Sequence, residues 1–241
     1  MKIIKTSARK KLVFSGITTA IAISISPAAV VYNEDFESYN LSGGGNIADV
    51  RVLSGPWSND PAATYDWRVD SGTTPSGGTG PSVDHTLGTN AGRYLYTEGS
   101  FFGGPAPTQG STFTAVSPSI DISGYTTLNL SYWVNMNGGA TGSLILDLSS
   151  DGGTSWDLAA DTISGNNGDV WLNRNVDLTA YEGSSQFRMR VTHLRSPSVQ
   201  WESDAAIDDF QITGVVPIPE PSSSILMALG IGMLSFRRRR K

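Results

Sequence analysis

The stretch Thr127-Leu-Asn-Leu-Ser-Tyr-Trp-Val134 alternates apolar and polar side chains with a period of two. Such alternation predicts a strand with one face in a core and the other toward solvent. Four further segments share the pattern, namely Ser111–Val116, Gly142–Leu148, Gln186–Thr192 and Ala205–Ile212. Because Gly-rich connections join these short strands and no helical periodicity intervenes, we expect an all-β domain, specifically an antiparallel two-sheet sandwich of the jelly-roll type.

Charge is distributed very unevenly along the 241 residues. Ten of the 17 cations lie in the first 11 and last five positions, so the chain between them has seven arginines, no lysine and all 22 acidic residues. An acidic, lysine-free body repels phosphate backbones, which argues against nucleic acid as a partner. The absence of cysteine excludes disulfides, thiol nucleophiles and thiolate metal sites.

The N-terminus has the three parts of a secretory signal peptide. Five Lys or Arg residues occur before position 12, an uncharged apolar run follows to Ile25, and small residues follow within Ser26–Ala29. We therefore expect a signal helix that is cleaved after Ala28 or Ala29, giving a signal peptide of residues 1–29. The alternative, an uncleaved anchor, does not explain the small residues.

The C-terminus, residues 217–241, combines a proline-rich turn, an apolar run and a basic cluster. The run Ser222–Phe236 would be roughly 22 Å long as a helix, which is short for a stable membrane span. The cations Arg237–Lys241 favour retention in the cytoplasm, so we expect a short transmembrane helix that holds the chain in the membrane transiently.

This ending resembles the PEP-CTERM sorting signal, because Pro219, Glu220 and Pro221 precede the apolar run and the arginines. The resemblance implies recognition of these three residues by an exosortase, a membrane enzyme of Gram-negative bacteria. It also implies an inner-membrane intermediate and a final position at the cell surface or in the extracellular matrix. A plain tail anchor is the alternative.

The body, residues 30–216, resembles a MAM domain, the adhesion module of meprins, neuropilins and receptor phosphatases. The matching segments are collinear: Asp35–Glu37, Asp66–Val69, Thr74–Ser76, Thr79–Thr86, Gly92–Ser100, Ser117–Pro118, Leu128–Trp133 and Ala206–Phe210. The chain lacks the cysteines of the family, so the disulfide-dependent features of animal MAM domains are not expected here. The resemblance implies a jelly-roll sandwich used in adhesion or recognition.

Carboxylates near both ends of the body indicate a structural Ca²⁺ site. Glu37 is expected on the first strand and Asp208 and Asp209 on the last, with Asp66 before Trp67. Because first and last strands of a jelly roll often pair, these side chains would converge, and Ca²⁺ would neutralise them through its preference for oxygen ligands. Some MAM domains carry a cation near the matching positions. Solvated carboxylates that bind nothing are the alternative.

Two tryptophans in polar surroundings, Trp57 and Trp201, are candidates for stacking on a glycan, with packing beneath a loop as the alternative. With only His85 and His193, and no nucleophile elbow, we expect no enzyme activity. The predicted function is adhesion or glycan recognition in an exopolysaccharide layer, with surface proteins as further possible partners. A carbohydrate-binding module, a carbohydrate-active hydrolase and a passive structural protein stay open.

Overall fold

The computed structural model describes residues 26–42, 53–100, 110–196 and 200–218. In these ranges the chain forms strands and two short 3-10 turns, at Thr179–Tyr181 and Gln200–Glu202, without an α-helix. The strands are β1 (Ala28–Glu34), β2 (Ser58–Asn59), β3 (Arg68–Asp70), β4 (Tyr94–Thr97), β5 (Thr112–Val116), β6 (Thr126–Met136), β7 (Ser143–Ser149), β8 (Asp157–Ser164), β9 (Gly168–Asp177), β10 (Arg188–Leu194) and β11 (Ala205–Val215).

Both predicted terminal helices lie outside the described residues, and so do Pro219, Glu220 and Pro221. Within the described ranges, no helix has the length and apolar character needed to span a membrane.

The strands form two antiparallel sheets, as predicted. Sheet A has the order β3-β4-β11-β6-β9, with β1 also paired to β11, and sheet B has the order β2-β5-β10-β7-β8. All five segments predicted from alternation contain the greater part of a strand. Their apolar positions, such as Leu128 and Leu130 of β6 and Leu144 and Leu146 of β7, are buried in one core shared by both sheets. The two sheets therefore form a sandwich.

Several aromatic rings of this core pack around Phe210 of β11. Phe210 packs at 4.8 Å from Trp57 and stacks on Tyr132 at 5.0 Å, measured between ring centroids. Phe36 meets Tyr39 and Trp57 edge to face at 5.3 and 5.8 Å. Pairs of this geometry add specific attraction to the burial of large apolar surfaces.

The first and last strands pair, as expected from the sequence. The register runs from Ala28 opposite Val215 to Glu34 opposite Phe210. The prediction that Glu37 lies on the first strand is wrong, because β1 ends at Glu34 and the chain turns at Phe36, whose φ is 55°.

Candidate functional site

A long connection, residues 71–93, covers part of the outer face of sheet A, the face turned away from the core. The Trp171 indole donates a hydrogen bond to Val83 O at 2.9 Å, and Ser82 donates to Asp169. The His85 ring stacks on Trp133 with centroids 3.8 Å apart and an interplanar angle of 21°. These contacts fix the connection over β6 and β9.

Asp208 and Asp209 lie under this connection because β11 is irregular between them and Gln211. The register with β6 shifts there, and Asp209 has a φ of 48°, a left-handed conformation that non-glycine residues rarely adopt. Asp208 accepts the His85 N–H at 3.0 Å, and Asp209 accepts the Thr86 hydroxyl at 2.8 Å and contacts the His85 ring. The irregularity thus lets two consecutive carboxylates bind the same loop.

Asp208 is fully buried, and this burial is the main influence on its pKa. Burial raises the pKa of Asp208 to about 9, and the nearby charge of Asp209 adds to the effect, while the hydrogen bonds from His85 and the Asp209 amide oppose it. The carboxyl is therefore protonated at neutral pH when no cation is bound.

Asp84 is a second buried carboxylate of this region, and the sequence analysis did not single it out. Its two oxygens accept the amide hydrogens of Leu87 at 2.6 Å and Thr89 at 2.9 Å. Glu37 accepts the Arg93 N–H at 2.9 Å. Burial raises the pKa of Glu37, and Asp84 raises it further through its charge and a side-chain contact. Asp84 also raises the pKa of Asp208.

The predicted calcium ligands are thus only partly brought together. Asp84 is close to both Glu37 and Asp208, whereas Asp66 lies half-buried in the segment before β3. In the described ranges, no group of three or more His, Asp or Glu side chains is arranged so that it could hold a metal ion. Oxygen donors of this kind suit Ca²⁺ chemically, so calcium at Glu37, Asp66, Asp208 and Asp209 stays a prediction.

The two tryptophans predicted to stack on glycans have different environments. The prediction is wrong for Trp57, which is only 1% exposed because its ring belongs to the core and its indole donates to Tyr32. Trp201 is 49% exposed and stays a candidate. Of the histidines, His193 is completely buried, and its pKa is lowered to about 4 mainly by that burial.

A row of amide and hydroxyl side chains crosses the uncovered part of the outer face of sheet A. The register places Asn33, Gln211, Ser131 and Asn175 side by side on β1, β11, β6 and β9. Gln211 donates to Asn33 at 3.3 Å. We call this group, together with Asn129 and Asn173, the amide face.

Neighbouring members of the amide face also hydrogen-bond to one another. Asn173 donates to Ser131 at 2.9 Å, and Asn129 donates to Asn175 at 3.4 Å. Asn33, Asn173 and Asn175 are exposed, and the other three are half-buried. Each amide keeps both donors and acceptors, which matches ligands rich in hydroxyl groups. Sequence alternation predicted that Asn129, Ser131 and Gln211 face solvent, but it predicted neither the positions on β1 and β9 nor the alignment of these side chains across four strands.

Comparison with known proteins gives two family matches. Residues 35–215 match the family described as MAM domain, meprin/A5/mu, and residues 217–241 match the PEP-CTERM protein-sorting motif. Neuropilin-1a of Danio rerio is 31% identical over 166 residues, which are 65% of this chain and 17% of the relative. Thyroid hormone-induced protein B of Xenopus laevis is 30% identical over 145 residues, 59% of this chain and 19% of the relative. The chain therefore spans less than a fifth of the length of these two relatives.

Solved structures with similar folds are more distant. The K1 cleaved adhesin domain of Lys-gingipain from Porphyromonas gingivalis W83 has a TM-score of 0.49 at 16% identity, covering 75% of this chain and 96% of that chain. The CBM22-1 xylan-binding domain from Paenibacillus barcinonensis Xyn10C has a TM-score of 0.41 at 14% identity, covering 81% and 100%. Similarity at this level does not identify a ligand or an activity.

Proposed function

The chain belongs to the MAM domain family and carries a PEP-CTERM sorting motif. We propose that it recognises polysaccharide outside the cell. The motif makes the protein an exported substrate of an exosortase in a Gram-negative bacterium, with a membrane intermediate. We propose the cell surface or extracellular matrix as its destination, and adhesion within an exopolysaccharide layer as its role.

The amide face is the observation that carries this proposal. Four paired strands span roughly 14 Å across a sheet, so the row from Asn33 to Asn175 presents a line of donors and acceptors of that width. Sugar hydroxyl groups both donate and accept, as amides do, and several such pairs can form along one extended chain. Trp133, paired with Asn173, lies at the margin of the face.

The net negative charge of the body favours neutral polysaccharides as ligands. The 22 acidic residues of the chain all lie between its two basic ends, where they are opposed by only seven arginines. Members of the amide face are themselves neutral. Because the body as a whole repels anions, a neutral polysaccharide suits this surface better than a uronic-acid polymer does.

Affinity electrophoresis of the full-length protein through gels that contain a neutral polysaccharide tests the proposal. The panel comprises dextran, xylan and the neutral fraction of the exopolysaccharide from the producing bacterium. We expect at least one of them to retard the protein, and the double variant Gln211→Ala/Asn175→Ala to bind about tenfold more weakly. Loss of two hydrogen bonds at about 0.5 to 1.5 kcal/mol each accounts for that factor.

Thr162→Ala is the control, since Thr162 is an exposed strand residue of sheet B and lies off the amide face. It is expected to migrate as the wild type does. Equal retardation of the wild type and the double variant would place binding elsewhere on the molecule. No retardation by any member of the panel would overturn glycan recognition and favour a protein ligand.

A further inference from the structure

Two buried carboxylates meet at the end of sheet A, away from the residues predicted to bind calcium. Glu98 follows β4 immediately, and Asp204 immediately precedes β11. Since Thr97 pairs with Ala205, the antiparallel register brings the next residue of β4 beside the preceding residue of β11. Both residues have no exposed surface.

One oxygen of each carboxylate is fixed by hydrogen bonds, and the other has none. Glu98 Oε1 accepts the Ser100 N–H at 2.9 Å and the Ser100 hydroxyl at 2.6 Å, and Asp204 Oδ1 accepts the Gly99 N–H at 2.8 Å. By contrast, Glu98 Oε2 and Asp204 Oδ2 are buried without a hydrogen-bond partner among the described residues. Unpaired buried carboxylate oxygens are costly and therefore point to a missing ligand.

Hydroxyl groups of residues 74–79 lie beside this pair. The Thr79 hydroxyl accepts the Asp204 N–H at 3.1 Å and donates to Asn137 O at 2.8 Å, while the Thr74 hydroxyl donates to Thr79 O at 2.7 Å. The Ser76 hydroxyl lies 3.3 Å from Glu98 Oε1. The Ser76 hydroxyl thus contacts the Glu98 carboxylate, and the Thr79 hydroxyl holds the Asp204 main chain.

Gly80 packs closely against Thr74 of this segment. Its φ is 65°, and an added Cβ would lie 2.5 Å from Thr74 Cγ2, so a side chain there would displace Thr74.

Burial and the neighbouring carboxylates act in the same direction on the pKa of Asp204. Burial, then the charge of Glu98 and, more weakly, that of Asp70 hold the pKa of Asp204 well above its ordinary value, although the Gly99 amide and the Thr74 hydroxyl lower it. Arg195 is nearby, where its guanidinium donates to the Ser203 hydroxyl at 3.3 Å.

We propose that Glu98 and Asp204 form a Ca²⁺ site through Glu98 Oε2 and Asp204 Oδ2, with neighbouring hydroxyl or carbonyl oxygens and water completing the coordination. Calcium takes six to eight oxygen ligands in variable geometry, so two carboxylates with neutral oxygens suffice. Zinc prefers nitrogen and sulfur donors, and magnesium demands a regular octahedron, so neither fits this irregular oxygen set as well. The site differs from the predicted set at Glu37 and Asp208 in every carboxylate.

Calcium content and thermal stability of the full-length protein test this proposal. After dialysis against EDTA and then buffered Ca²⁺, bound calcium is measured by mass spectrometry of the metal, and Tm is followed with increasing Ca²⁺. We expect Asp204→Asn and Glu98→Gln each to bind one Ca²⁺ fewer than the wild type. The wild type should gain several degrees of Tm that both variants lack.

The Tm of the variants in the absence of calcium shows whether a lower calcium content results from loss of the site or from misfolding. Because Asp204→Asn removes a carboxyl group that is buried beside Glu98, its Tm in EDTA is expected to equal or exceed that of the wild type at pH 7.5. Asp177→Asn, an exposed carboxylate on β9, should keep the full calcium content and Tm gain. Asp208→Asn removes any calcium bound at the other set and should retain the Asp204-dependent equivalent.

Two outcomes would overturn the proposal. In one, the wild type, Asp204→Asn and Glu98→Gln bind the same amount of calcium. In the other, the wild type binds none and its Tm does not respond to Ca²⁺. Terbium luminescence excited through the protein's aromatic residues gives a further reading on the wild type and on Glu98→Gln. Its displacement by Ca²⁺ supports a calcium site, and its loss in Glu98→Gln assigns that site to this pair.

Discussion

Replacing Asp208 by asparagine is expected to remove a large part of the pH dependence of stability. In the folded protein the pKa of Asp208 is about 9, whereas an aspartate in the unfolded chain titrates near 3.9. Between these values only the folded state holds the proton. The stabilising contribution is therefore complete below pH 4 and is lost as the pH rises toward 9.

The size of the effect follows from this window. Each pH unit within it costs about 1.4 kcal/mol, so the free energy of unfolding should fall by roughly 2.7 kcal/mol from pH 5.5 to 7.5 through this group alone. Asparagine cannot titrate, but it has one accepting oxygen in place of two, so its NH2 group would face either the His85 N–H or the Asp209 N–H that Asp208 now accepts. Asp208→Asn should thus be less stable at pH 5.5 and should lose less stability on the way to pH 7.5.

The assay is urea unfolding in EDTA at pH 5.5, 6.5 and 7.5, followed by tryptophan fluorescence. The informative quantity is the difference in free energy of unfolding between the two proteins, because it cancels the pH-dependent contributions that both share. A difference that stays constant within about 0.5 kcal/mol over this range would mean that Asp208 is ionised in the folded protein, and the reasoning from burial would fail.

Three further expectations concern the core, the loop over sheet A and the C-terminus. Phe210→Ala should lower the free energy of unfolding by about 3 to 5 kcal/mol because it removes the ring at the centre of the aromatic group. Trp201→Ala, at an exposed position, should change it by less than about 0.5 kcal/mol, and similar values for both variants would contradict the packing described. Gly80→Ala should cost about 1 kcal/mol or more in the same assay, owing to its positive φ and its contact with Thr74, and an unchanged midpoint would show that the loop yields. Replacing Pro219, Glu220 and Pro221 by alanines should leave the tail uncleaved and the protein in the inner membrane, as read by intact mass and fractionation; normal processing would argue against the motif.

Sequence alternation was sufficient for the strands that have one buried face. In β6, β7 and β10 every second residue enters the core, so the period of two is visible in the residue types. The strands β8 and β9 were not predicted, because most of their residues are exposed or half-buried and polar side chains occur on both faces. Their place in the sheets depends on pairing with β7 and β6, which a local pattern does not contain.

Local sequence patterns contained still less information about the site than about the strands. The pairing of the first and last strands was anticipated, but the irregularity at Asp209 and the covering connection of residues 71–93 were not. Asp84, Glu98 and Asp204 each occur in short segments that look like ordinary polar loops. Only their burial under a loop that returns across the sheet makes them unusual, and burial of that kind is a property of the tertiary fold.

The pairing of β1 with β11 has a mechanical consequence. Strand β11 leads directly toward the sorting motif, and it is hydrogen-bonded to β1, β4 and β6. Inter-strand hydrogen bonds of an antiparallel sheet run perpendicular to the strands. A pull on the C-terminal end of β11 along the strand, resisted by a ligand held elsewhere on sheet A, therefore loads these bonds together in shear instead of opening them one after another. The pairing of β1 with β11 thus makes the domain resistant to tension applied through its C-terminal end, as the adhesive role proposed above would require.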